Sequence, residues 1–147
     1  MKTFGAPLPG KEYTVRPGVY AVITNDAGGV AIVQTGEGYF LPGGGLEENE
    51  AHEDCLKREL LEELGWQIAV GEHIVSAQRY LLAISKKNYY LSIAHFYRAT
   101  KITKVAESVE PDHHLVWLTP EQSLSKLYHE HQAWGVACYF DPSARGE

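Results

Sequence analysis

The sequence predicts one α/β domain with a mixed sheet, and three features carry that prediction. Runs rich in β-branched residues recur between turn signals from Val19 to Leu118. A helix-length amphipathic stretch, Glu50 to Leu64, interrupts them. Hairpin turns and helical crossovers both connect the runs, so parallel and antiparallel neighbours are expected together. At 147 residues, 44% hydrophobic and 22% charged, the chain is long enough to bury a core without disulfide or metal staples, and residues 1–147 read as a single domain.

Residues 1–12 carry Pro and Gly punctuation and read as an irregular lead-in. Val19 to Thr24 reads as a buried strand. Asn25-Asp26-Ala27-Gly28-Gly29 is turn chemistry, and Val30 to Gln34 returns as the second strand of a hairpin. Gly36-Glu37-Gly38 turns the chain into the short run Tyr39-Phe40-Leu41, after which Pro42-Gly43-Gly44-Gly45 predicts a loop. Asn49 is a good N-cap for a helix over Glu50 to Leu64 that Gly65 closes. Trp66 to Ala83 reads as a strand interrupted near Gly71-Glu72. Ser85-Lys86-Lys87-Asn88 is a polar turn, and Tyr89 to Ala99 is the returning strand. Lys101 to His113 is charged and irregular, and Leu115 to Leu118 is a short strand. Thr119-Pro120-Glu121-Gln122 starts a helix with a capping box and a Pro at its first position. Tyr128 to Phe140 is helical before the Asp141-Pro142 stop.

Composition excludes several function classes. A net charge of −6 with no basic block argues against duplex nucleic acid as a partner. No apolar run approaches the roughly 18 residues of a membrane span. The N-terminus lacks the apolar core of a signal peptide, and Cys55 and Cys138 stand in no metal-like spacing, so a cytoplasmic protein with reduced cysteines is expected.

The charge is concentrated. Eight acidic and two basic residues fall between Gly44 and Trp66, which accounts for the whole excess. On a helix Glu59, Glu62 and Glu63 share one side, while Leu56, Leu60 and Leu64, with Leu61 beside them, form the stripe that faces the core. Like charges at this spacing cost about 0.2–0.5 kcal/mol per pair. Arg58, four residues before Glu62, can pair with it but cannot neutralise three glutamates. A hard divalent cation can, and Mg²⁺ is held in this way beside phosphates. A solvated acidic face is the commoner explanation of such a trio by itself. The glycine run just upstream shifts the weight, because it allows backbone to approach a ligand closely beside Glu47 and Glu50.

Read together, the segment is Gly44, five residues, Glu50, seven residues, Arg58-Glu59-Leu60, one residue, Glu62-Glu63, one residue, Gly65-Trp66. It resembles the box of the Nudix (MutT-like) hydrolase family at every fixed position, with Trp66 larger than the usual closing aliphatic residue and Asn49 where members often carry Gly. The box spans 23 of the 147 residues. The resemblance implies a Nudix-type α/β/α sandwich and Mg²⁺- or Mn²⁺-dependent hydrolysis of a nucleoside diphosphate linked to another moiety. It also implies Glu59, Glu62 and Glu63 as helix metal ligands, with Glu59 alternatively the base, and a backbone carbonyl ligand from the Gly44 region. Arg58 would orient a carboxylate, and Glu50 would contribute more weakly. Members often add a carboxylate from outside the box. Glu110 is the first choice here, with Glu107 and Asp112 as alternatives. Members also often dimerise, which this sequence leaves open.

Other residues point less clearly. The pairs His113-His114 and His129-x-His131 do not converge at those spacings and read as surface or polar-core histidines. His52, Arg16 and Arg79 could reach substrate or phosphate, although ordinary surface roles fit them as well. Cys55 falls on the carboxylate side of the helix with nothing to mark it as a nucleophile. The aromatics Tyr39, Phe40, Tyr80, Tyr89, Tyr90, Tyr97 and Trp134 read as core or sheet residues, one of which could stack on a nucleobase. Two further readings stay open beside the enzyme: a catalytically silent Nudix-fold module that binds a nucleotide, and a structural acidic interaction domain. Loss of box carboxylates would favour the silent module, and none is lost.

Overall fold

The computed structural model describes residues 1–83, 85 and 87–146. Its strands are β1 (Lys2–Phe4), β2 (Tyr13–Val22), β3 (Val30–Thr35), β4 (Gly38–Phe40), β5 (Gly43–Gly45), β6 (Trp66–Leu82), β7 (Tyr89–Lys104) and β8 (His114–Leu118). The helices are α1 (His52–Leu64), α2 (Pro120–Lys126) and α3 (Glu130–Phe140), and a 3₁₀ turn follows over Pro142–Arg145. The larger sheet has the order β1-β6-β7-β2-β5 and is mixed, with β1 parallel to β6 and β2 parallel to β7. The smaller sheet, β4-β3-β8, is antiparallel.

Two cores explain the layers. Cys55, Leu56, Leu60 and Leu64 of α1 pack with Val19, Ala21, Ala31 and Val33. Val136 and Cys138 of α3 pack with Val22, Val30, Ile32 and Phe96. Neighbouring strand residues alternate between the two clusters, as a pleat requires, so one helix covers each side. This is the α/β/α arrangement that the family resemblance implies.

Several local expectations are corrected. Lys2–Phe4 is not an irregular lead-in but pairs with Ala77–Arg79 of β6. β2 and β3 do not form an extended hairpin. Beyond a Thr24–Val30 bridge and the Ala31 N–H given to the Ile23 carbonyl, they diverge into different sheets. The glycine run is strand, since Gly43–Gly45 pairs with Gly18–Tyr20. α1 begins at His52 behind Ala51 rather than at an Asn49 cap, and Asn49 instead takes a left-handed turn with φ 63°. Leu61 is 44% exposed and leaves the apolar stripe. β7 runs on to Lys104, so only the remainder of the 101–113 segment is loop, and α3 starts at Glu130. The polar turn expected over Ser85-Lys86-Lys87-Asn88 includes Lys86, which lies outside the described residues.

Other expectations are met. β6 is irregular between Val70 and His73, and the Thr119–Gln122 capping box is complete. Gly65 closes α1 in the left-handed conformation, φ 69°, with its N–H directed at the Leu60 and Leu61 carbonyls. The Gly65 carbonyl accepts the N–H groups of Val105 (2.8 Å) and Ala106 (3.3 Å), and a β-carbon there would collide with the Ala106 carbonyl. Gly65→Ala is therefore expected to cost more than the about 1–2 kcal/mol of a left-handed backbone alone. A urea midpoint within error of the parent would contradict this.

Candidate active site

The carboxylates of α1 lie against β5 because glycines let the backbone come close. Gly43 has φ 141°, and a β-carbon would strike the Val19 carbonyl. One at Gly44 would overlap the Glu59 carboxylate. The Gly43 N–H donates to Glu63 Oε1 at 2.8 Å.

Arg58 gathers the remaining acids. Its Nε and Nη2 donate to the two oxygens of Glu50 at 2.8 and 2.9 Å. Nη1 donates to Glu59 at 2.9 Å and reaches Glu62 at 3.5 Å, and Nη2 also donates to the Gly45 carbonyl at 3.1 Å. The expected Arg58–Glu62 pair is thus its longest carboxylate contact. Hydrogen bonds from Arg58, then from the Glu47 N–H, pull Glu50 down to about 2. Glu63, almost buried, is pushed up to about 8 by burial first and then by Glu59, Glu110 and Glu62, against the opposing Gly43 bond. Burial also raises Glu59, with Arg58 opposing and Glu62 and Glu110 adding. Tyr20 is raised by burial first and then by Glu63 and Glu59, so its hydroxyl stays protonated at neutral pH.

The 105–113 loop docks on the end of α1. The Val109 N–H donates to the Glu62 carbonyl at 2.9 Å, and the Ser108 hydroxyl lies 3.3 Å from the same oxygen. Of the three loop acids, Glu110 faces the cluster closely enough to raise both Glu59 and Glu63. Glu107 is 88% exposed and pairs with Lys104, and Asp112 accepts the Gly36 N–H.

The sequence reading missed His113 as a site residue. Its Nδ1 lies 3.1 Å from Glu63 Oε2. The only sequence hint is that it follows Glu110 by three residues. His52 does not reach the acids but bonds the Tyr97 hydroxyl at 2.8 Å. Arg16 stacks on Tyr90, and Arg79 bonds His129. Cys55 is fully buried, and burial pushes its thiol up to about 12, so it is no nucleophile at neutral pH.

Among the described residues no three His, Cys, Asp or Glu side chains converge to hold an ion as they stand, since the Arg58 fork occupies the space among Glu50, Glu59 and Glu62. The donor set nevertheless fits a hard divalent cation. It consists of carboxylate oxygens, with Glu59 and Glu63 both raised by burial first, around a glycine cradle that any side chain would fill.

A model of the NUDIX domain matches residues 14–138. The chain belongs to the Nudix family. A search of curated protein sequences found no match. Among solved structures, the chain is similar to a NUDIX hydrolase from Nitrosomonas europaea (16% identity, 88% of this chain and 90% of that one, TM-score 0.71). It is also similar to the E. coli ORF135 protein (26%, 96% and 98%, 0.63) and to the MutT protein of Methanosarcina mazei Go1 (20%, 92% and 99%, 0.65). As a Nudix hydrolase the chain acts on phosphoric anhydride bonds, and enzymes of this family generally use divalent metal ions and small nucleotide substrates. No helix among the described residues is long and apolar enough to cross a membrane.

The Arg58 contacts make a titration prediction. Arg58→Ala removes the main cause of Glu50's depression, so Glu50 should move from about 2 back toward 4.5. A depressed carboxylate stabilises the fold above its unfolded pKa, and that contribution is lost as pH falls through the folded value. The parent should therefore keep the Glu50 contribution to lower pH than the variant does. An NMR titration giving the same Glu50 midpoint in both proteins would contradict this.

Proposed function

We propose that this chain is a single-domain pyrophosphohydrolase that cleaves the diphosphate bridge of a nucleoside diphosphate linked to another moiety, with Mg²⁺ or Mn²⁺ as its ion. The observation that carries the reading is the gathering of Glu59, Glu62, Glu63 and Glu110 around Gly43–Gly44 with one arginine among them. Glu59, Glu62, Glu63 and the Gly44 carbonyl would hold the ion. When bound, a divalent ion offsets the negative charge that develops on phosphate oxygens and makes bound water more acidic.

The residues of the chain supply the rest. Arg58 fixes the rotamers of Glu50 and Glu59. His113 and the Gly43 N–H hold the two oxygens of Glu63. Glu110, outside the Arg58 fork, takes the proton of the attacking water, and Glu59 is the alternative base. The water oxygen joins one phosphorus as the bridging oxygen leaves with the other, giving a nucleoside monophosphate and a phosphorylated remainder. All box carboxylates are present, which favours turnover over a silent nucleotide-binding module. The overall negative charge and the buried Cys55 and Cys138, which form no disulfide, support a cytoplasmic setting with free nucleotides, rather than duplex nucleic acid or a membrane, as the substrate pool.

Hydrolysis in ¹⁸O-labelled water should place the label on one product phosphate and none on the sugar. Glu62→Gln and Glu63→Gln should each lower kcat by at least about 100-fold, and Glu110→Gln should lower kcat more than it weakens ion binding. Glu53→Gln, which loses only an exposed pair with Lys57, should be nearly silent. Equal activity across the four variants would refute the assignment. Millimolar Mg²⁺ or Mn²⁺ should raise the melting temperature reversibly, because an ion that binds only the folded form stabilises it by mass action. A melting curve unmoved by either ion would count against the site.

A further inference from the structure

Tyr20 stands in β2 opposite Gly43 of β5, and its side chain lies back along its own strand. A β-carbon at Gly18, two residues earlier and so on the same face, would come within 2.8 Å of the Tyr20 hydroxyl and 3.0 Å of its ring. One at Gly43 would come within 2.9 Å of the ring from the β5 side. Two glycines thus clear the space that the phenol fills. The backbone at Gly18 is not left-handed, so room is what glycine supplies there. The same β-carbon would lie 2.9 Å from the Gly44 carbonyl, which makes that carbonyl and the Tyr20 hydroxyl close neighbours.

The hydroxyl is left with a proton to give. Tyr20 is half-buried, tilted against Phe96 with ring centroids 6.1 Å apart, and has no hydrogen bond to the protein among the described residues. A tyrosine hydroxyl in such surroundings ordinarily finds a partner. The acids around it are already held: Glu63 by the Gly43 N–H and His113, and Glu59 by Arg58. What Tyr20 does face is a cavity of about 210 Å³, which runs from Gly43, Gly44 and Glu63 to His129 and Gln132 at the start of α3. Its partner has to come from there.

We propose that the Tyr20 hydroxyl is a substrate contact that donates a hydrogen bond to a non-bridging oxygen of the diphosphate beside Gly44. The proposal rests on the pyrophosphohydrolase reading for a diphosphate at this place. Phosphate oxygens only accept, and so do ionised carboxylates, so a site built from glutamates needs donors of another kind. A charged donor serves badly here. The guanidinium of Arg58 is taken up by Glu47, Glu50, Glu59 and Glu62, and a second cation at position 20 would pair with Glu59 or Glu63 and compete with a divalent ion for them. A phenol donates without bringing charge, and leaves the acids to the ion.

Tyr20→Phe removes the donor and keeps the ring. The hydroxyl has no protein partner to lose, so the melting temperature and its rise in Mg²⁺ should match the parent. Methylenediphosphonate, a diphosphate analogue whose bridge water cannot cleave, should bind the variant about tenfold or more weakly in calorimetry with Mg²⁺, the range of one hydrogen bond to a charged group. The kcat/KM for the ribonucleoside triphosphates, followed by pyrophosphate release, should fall by a similar factor. Equal binding and equal kcat/KM in the two proteins would overturn the contact and leave the hydrolase reading standing. A variant that melts several degrees lower, or loses the Mg²⁺ shift, would overturn it by showing a structural role. Weaker binding by the variant, with no turnover of any triphosphate by the parent, would support the contact and count against the hydrolase reading. A parent that does not bind methylenediphosphonate would overturn the proposal.

Discussion

The site depends on the Arg58 fork. Glu47, Glu50, Glu59 and Glu62 all lie within 3.5 Å of its nitrogens, and Arg58 is the cation that pairs with all four. A lysine could not replace it, since a point charge cannot meet both oxygens of Glu50 while a separate nitrogen serves Glu59. Glu63 stands outside the fork, where the Gly43 N–H and the His113 ring meet its two oxygens. The acids thus separate into a group that Arg58 pairs with and a group that it does not. The second, Glu63 with Glu110, has the most to gain from an added cation. Arg58 holds the helix face together without removing its affinity for one.

Glycine contacts carry this arrangement beyond the helix. Gly43 and Gly44 admit the carboxylates to the sheet, and Gly65 does the same for the 105–113 loop by approaching Ala106. The bonds from Val105 and Ala106 to the Gly65 carbonyl, and from Val109 to the Glu62 carbonyl, satisfy the open end of α1. They also bring Glu110 and His113 to the acids. A helix cap therefore positions side chains some forty residues further along the chain.

What could be read in the sequence follows from how local the cause was. The box, the Gly65 cap and the Thr119 capping box are each set within a few residues and were legible. Gly43–Gly45 was misread as loop because its strand pairing comes from Gly18–Tyr20, and composition carries no trace of that distant edge. Lys2–Phe4 pairs with residues more than seventy positions away and was missed for the same reason. The Asn-Asp-Ala-Gly-Gly turn was recognised as a turn, but turn chemistry alone does not say whether the strands it joins stay in one sheet. His113 was passed over because its meaning depends on Glu63, fifty positions earlier. Arg79 acquires its role only once His129 is beside it.

The segment Leu41-Pro42-Gly43 explains why the carboxylates and the α3 side chains share one cavity although their helices belong to different cores. The Leu41 N–H is taken by Gln132 and the Gly43 N–H by Glu63, while Pro42 between them has no N–H to compete. The opposite edge is held to β2, where the Pro42 carbonyl accepts the Ala21 N–H at 2.9 Å. Glu63 and Gln132 are thereby tied to the same short backbone segment. A shift of either helix away from this segment must strain or break one of these two buried bonds, which couples the position of the acids to that of the α3 side chains.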